Sequence, residues 1–92
     1  MKGKGKSKYM GVDVSKDRLD WQVSNTTKSY RVKNNQSGCD RIVEQCRKQG
    51  VALVVFESTG GYEKLLADTL YAAKIPYSKI SPLRGRRFAR KR

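Results

Sequence analysis

Two strand-like apolar runs, Tyr9-Met-Gly-Val-Asp-Val-Ser15 and Val51-Ala-Leu-Val-Val-Phe-Glu57, each carry a single carboxylate, Asp13 and Glu57. Charged side chains are seldom set on such strands without a function. Alternation places Met10, Val12 and Val14 on one face of the first run and Tyr9, Gly11, Asp13 and Ser15 on the other, so Asp13 points to a site or to solvent. Glu57 ends its run, and the Ser58-Thr-Gly-Gly61 that follows has the pattern of a turn from a buried strand into a helix. Glu57 is therefore expected at the carboxyl edge of a sheet, where loops and helix N-termini converge and open α/β sheets bind ligands.

The segments around these runs complete one small α/β domain. After the first run, Arg18 to Ser24 and Lys28 to Lys33 read as strands, separated by the turn-like Ser15-Lys-Asp17 and Asn25-Thr-Thr27. Leu19, Trp21 and Val23 alternate with polar residues, as in a half-exposed antiparallel strand. Ser37-Gly-Cys-Asp40 resembles a capping box opening a helix with Cys39, Ile42, Val43 and Cys46 on one side, stopped by Gly50. Val51 to Phe56 is a continuous apolar run of the kind found in strands covered on both faces. A second helix is expected from Gly61 to about Lys74, with Tyr62, Leu65, Leu66, Thr69, Leu70 and Ala73 on one stripe and Pro76 beyond its end. Tyr77 to Ile80 makes a fifth strand, Ser81-Pro82 closes it, and Leu83 to Arg92 starts an unfinished helix.

The order is β-β-β-α-β-α-β in a mixed five-stranded sheet, and right-handed crossovers would set the strand of Glu57 beside that of Asp13. Two carboxylates about 5 Å apart repel by roughly 3 kcal/mol at an effective dielectric near 20, a cost relieved by a proton, a basic side chain or a cation. Oxygen donors with no nitrogen or sulfur partner favour magnesium or manganese.

Charge narrows the partners. The 92-residue chain carries 21 Lys and Arg against 8 acids, a formal net charge of +13. Many of the bases lie in the two ends, Lys2 to Lys8 and Arg84 to Arg92, which suits a solubilising tail or contact with a polyanion, nucleic acid above all. Neither end has the apolar face of an interfacial helix, and no run approaches the roughly 20 apolar residues of a spanning helix. The Lys-Gly-rich start, a disordered basic arm over residues 1–8, has no hydrophobic region after it and is not a secretory signal, so a cytoplasmic location without membrane attachment is expected. Cys39 and Cys46 lie about 10.5 Å apart along one helix, too far for a disulfide, whose Cα atoms stand within roughly 7 Å, and with no histidine they are too few for structural zinc. They read as small core residues.

The arrangement matches the first two thirds of a ribonuclease H-like fold. Gly11-Val-Asp-Val-Ser-Lys16, Glu57-Ser-Thr-Gly-Gly-Tyr-Glu63 and Ile80-Ser-Pro-Leu-Arg-Gly-Arg-Arg-Phe-Ala-Arg90 closely resemble the N-terminal, RuvC-like domain of DEDD-type transposases of the insertion-sequence one-hundred-and-ten type, the family that includes the pilin-gene inverting recombinase. The resemblance spans Tyr9 to Arg90. It implies that Asp13 and Glu57 are the first two acids of a catalytic, metal-ligating tetrad for DNA strand cleavage and exchange. The family's remaining two acids lie in a segment after the Phe-Ala-Arg element, and this sequence ends at Arg92 without it. A second domain with a serine thought to attack DNA is likewise absent, so no serine here takes that role. The domain over residues 9–82 is thus expected to be incomplete and inactive alone. The resemblance also implies that the full-length enzyme is a homo-oligomer that works with a structured guide RNA.

Lys16, Thr59, Arg84, Arg86, Arg87 and Arg90 are the expected nucleic-acid contacts. Thr59-Gly60-Gly61 at a helix N-terminus offers backbone N–H groups to a phosphate, or is simply a tight turn that needs small residues. The arginines clamp a nucleic-acid backbone, or form a solvated basic end. Trp21 and Tyr30 read as sheet packing, with base stacking as the alternative. Two other function classes stand beside the transposase reading. A basic nucleic-acid-binding module would keep the scaffold without the chemistry. A nucleotide-binding fragment of the actin-like class also begins Gly-x-Asp, but Ser15-Lys16-Asp17-Arg18 lacks that class's phosphate-loop glycines.

Overall fold

A computed structural model describes residues 7–57 and 60–80. The elements are β1 (Lys8–Val14), β2 (Arg18–Val23), β3 (Ser29–Lys33), α1 (Gln36–Gln49), β4 (Val51–Glu57), α2 (Lys64–Ala72) and β5 (Tyr77–Ile80). They form one five-stranded sheet in the order β3-β2-β1-β4-β5. The β1–β2 and β2–β3 pairs are antiparallel, while β1–β4 and β4–β5 are parallel. The expected order and the central β1–β4 neighbourhood are both present. Residues 1–6 of the expected basic arm and the expected helix start over 83–92 lie outside the described residues, while Lys8, counted in that arm, instead begins β1 because it pairs with Val51 of β4.

Alternation sets the two faces of the sheet. Met10, Val12 and Val14 of β1, Leu19, Trp21 and Val23 of β2, and Val54 and Phe56 of β4 are buried on one side. They share a core with Cys39, Ile42, Val43 and Cys46 of α1 and Leu66, Ala67 and Leu70 of α2. Both helices therefore pack on the same face. This corrects the expectation that β4 is covered on both sides: Val55 and Leu53 are only half-buried and Ala52 is exposed. An unbroken apolar run records hydrophobicity, not how many layers lie over it.

The helix boundaries move for local reasons. Asn35, not the Ser37 region, caps α1; its backbone is extended and its Oδ1 accepts the Gly38 N–H at 2.8 Å. Gly50, with φ of 69°, ends that helix in the left-handed region, as its position suggested. The second helix starts later than expected, at Lys64, because Gly60 and Gly61 have φ of 75° and 111° and the chain is still turning at Tyr62 and Glu63.

At the other end of α2, Lys74 N–H donates to the Tyr71 carbonyl at 3.0 Å and Ile75 N–H to that of Leu70 at 2.9 Å. This is a Schellman closure, and it puts Lys74 at φ 62°, where glycine is preferred. A side chain in that conformation costs about 1–2 kcal/mol. Lys74→Gly is therefore expected to stabilise the chain by about 1 kcal/mol, read as a higher urea midpoint with an unchanged slope. A lower midpoint would mean that Lys74 makes contacts worth more than its backbone strain.

Candidate functional site

The carboxyl ends of β1 and β4 lie side by side because the two strands are parallel neighbours. Gly11 pairs with Val55 and Val12 with Phe56, so Asp13 and Glu57 each stand one residue beyond the last matched pair. Both acids are exposed on the face opposite the helices. The topology thus brings together the two acids singled out in the sequence, at the edge and on the face expected. An open trough of about 660 Å³ runs across this face, lined by Tyr9, Gly11, Asp13, Gln22, Val55, Glu57 and Ile80 among others.

Asp20 is a third acid on this face that sequence reasoning missed. It lies directly opposite Asp13 in the β1–β2 register, and Arg31 lies opposite Asp20 in turn. Arg31 Nε donates to Asp20 Oδ1 at 2.7 Å, and this hydrogen bond, then the carboxylate charge, raises the Arg31 pKa further. Asp20 is thereby engaged across the hairpin. The alternation of Leu19, Trp21 and Val23 already assigned Asp20 to the polar face; its partner strand and register were missing.

The turn after Glu57 is pinned from within. Glu63 is only 5% exposed; its Oε1 accepts the Gly61 N–H at 3.2 Å, and Lys79 of β5 lies 3.5 Å from its Oε2. The Gly61 N–H is therefore already engaged, which favours the tight-turn reading for that glycine. Lys16 is exposed in the β1–β2 turn, three residues past Asp13 and at the same edge. Thr59, Arg84, Arg86, Arg87 and Arg90 lie outside the described residues.

Of the residues expected to be structural, Trp21, Cys39 and Cys46 are buried, whereas Tyr30 packs on Trp21 but remains exposed. Trp21 is buried on the helix side and stacks on Tyr30 with ring centroids 4.8 Å apart, so it is not placed to stack on a base. Cys39 and Cys46 are buried free thiols, and desolvation pushes each up to about 11. Neither is a nucleophile at neutral pH.

The family model of the DEDD transposases of the insertion-sequence one-hundred-and-ten type matches residues 10–92, nearly the whole chain. The chain belongs to this transposase family. No curated protein matches it. Among solved structures, this transposase chain is similar to RuvC of Thermus thermophilus in complex with a Holliday junction substrate. There the TM-score is 0.60 at 13% identity, covering 85% of this chain and 66% of that one. A second Thermus thermophilus RuvC structure gives a TM-score of 0.58 at 15% identity over 82% of this chain and 62% of that one. At such identities the likeness establishes the fold, which is RuvC-like and hence ribonuclease H-like. The transposase chain spans just under two thirds of the length of these RuvC chains. Among its described residues no helix is long and apolar enough to cross a membrane.

Proposed function

We propose that Asp13 and Glu57 form the metal-holding half of a site for DNA strand cleavage and exchange, contributed by this chain to DNA transposition. The observation that carries this reading is their placement, side by side and exposed at the carboxyl edge of β1 and β4, in a member of a transposase family. Their donor chemistry fits magnesium or manganese, which take hard oxygen ligands and use one or two carboxylates together with substrate phosphates. Among the described residues no group of three or more Cys, Asp or Glu is close enough to enclose a metal ion, so the two acids supply part of a coordination shell.

Such a metal, when bound, supplies charge neutralisation at the scissile phosphate and activates the attacking oxygen. The chain's own residues divide the remaining work. Asp13 and Glu57 hold and orient the cation, Lys16 at the same edge neutralises a flanking phosphate, and the basic residues of the chain attract the nucleic-acid backbone over a longer range. Guidance by a structured RNA, and self-association of the full-length transposase, belong to the same proposal and rest on the family alone.

Manganese titrated into the isotopically labelled chain tests the site without requiring turnover. Paramagnetic broadening should appear first at the Asp13 and Glu57 amides, and Asp13→Asn should remove it from both. Broadening confined to other acids, such as Asp40 or Asp68, would reject the site. Two side-chain ligands leave the cation weakly held, so plasmid nicking by this chain alone is expected to be negligible. A second reading, a nucleic-acid-binding module without chemistry, is favoured by the net charge of +13. It predicts that manganese fails to select the two acids, while oligonucleotide binding persists when both are neutralised.

A further inference from the structure

Asp13 and Glu57 are the first residues past the last matched β1–β4 pair, Val12 with Phe56. Each is tied on its outer side, Asp13 to Asp20 of β2 and Glu57 to Ile80 of β5. The joint between the two acid-bearing strands has by then ended. Their separation depends on what crosses from one strand end to the other beyond the ladder.

Asn34 makes such a crossing. It sits half-buried between β3 and α1, and its Nδ2 donates at 2.9 Å to the Ser15 carbonyl and at 2.9 Å to the Tyr62 carbonyl. Ser15 lies two residues past Asp13, and Tyr62 belongs to the turn that follows Glu57. Both partners are acceptors, so only the amide nitrogen satisfies them, and each of its N–H groups is used once. The Asn34 backbone is itself fixed. Its N–H donates to the Asp17 carbonyl at 3.0 Å, and the next residue, Asn35, caps α1. One primary amide on a fixed base thus links the loops leaving both acid-bearing strands.

We infer that Asn34 is a positioning residue that sets the separation of Asp13 and Glu57, and with it the affinity of their edge for a divalent cation. This rests on the metal-holding role proposed for those acids. Groups that orient metal ligands without touching the metal typically govern affinity by about 10- to 100-fold.

The test is the manganese titration of the full chain, repeated with Asn34→Asp and with Val43→Ala. Asn34→Asp keeps the shape and removes both donors, setting a carboxylate against two carbonyls; manganese affinity at Asp13 and Glu57 should fall about tenfold or more. Val43→Ala truncates a buried side chain two turns further along α1; it should lower the melting temperature and leave the titration unchanged. Should Asn34→Asp fail to fold, Asn34→Ala removes the donors without the repulsion, with the same expected loss of affinity. Unchanged affinity in the Asn34 variant overturns the inference, as does an equal loss in Val43→Ala, which would reduce Asn34 to a contributor to stability. A wild-type chain in which manganese does not broaden Asp13 and Glu57 overturns the metal reading itself, and the positioning role with it.

Discussion

Gly38→Ala is expected to lower the melting temperature of the chain by about 15 °C or more, or to abolish cooperative folding. Gly38 lies in the first turn of α1 and is buried against the end of β3. A Cβ there would overlap the Lys33 carbonyl oxygen and come within 2.9 Å of its carbonyl carbon and 3.3 Å of its nitrogen. These are backbone atoms and cannot rotate aside. The first turn of α1 would have to lift away from the sheet, taking Cys39 and Ile42, both fully buried, out of register with the core. Overpacking of this kind typically costs about 1–3 kcal/mol and sometimes more, and we expect the upper end because no side chain can yield. For a domain of this size each kcal/mol moves the melting temperature by about 4–8 °C. Alanine is the better helix former by about 1 kcal/mol, so propensity opposes the expected sign, and a loss of stability isolates the steric effect. Thermal melts followed by circular dichroism decide the matter. A variant that melts within a few degrees of the wild type would mean that the β3–α1 junction gives way cheaply.

Phe56→Ala should be as damaging, for the opposite reason. Phe56 is 2% exposed, pairs with Val12 across β1–β4, and stacks on Tyr77 of β5 with ring centroids 5.6 Å apart. Truncation removes its burial and leaves a cavity beneath three strands, at about 3–5 kcal/mol. Small domains lie towards the low end of the roughly 5–15 kcal/mol range of folding stabilities, so the variant should be largely unfolded near 25 °C in mild urea. Phe56 immediately precedes Glu57, so loss of manganese broadening at that acid should accompany the loss of structure. Phe56→Leu keeps most of the apolar volume and should fall between the two. Equal urea midpoints for all three chains would mean that the sheet holds β4 without this ring.

The sequence carried most of the architecture and about half of the candidate site. Alternation on β1 and β2 identified the buried face, because a period of two fixes side-chain direction without knowledge of partners. Gly50 marked the end of α1, since the left-handed region favours glycine strongly. Asn35 was harder to see, because Asn35 and Ser37 are both good caps and the choice between them turned on how closely Gly38 could approach β3. The exposure of Val55 was likewise not legible; it depends on both helices choosing one face. Asp13 and Glu57 were found through their setting in apolar runs and their family motifs. Asp20 and Asn34 carry no such local mark, and only cross-strand register and loop packing brought them to the site. The residues expected to contact nucleic acid beyond Lys16 lie outside the described residues.

The β1–β4 pairing also sets an order in time. The hairpins β1–β2 and β2–β3 join segments close in sequence and need only short loops to close, whereas β4 reaches β1 after β2, β3 and α1 have intervened. Local contacts form quickly and distant ones slowly, since the chain must first lose the entropy of a long closure. The meander leaves the ribosome before Glu57 does, so Asp13 spends the early life of the chain without its partner. If both acids hold a cation as proposed, its capture requires β4 to have docked, so manganese binding would time the β1–β4 step of folding.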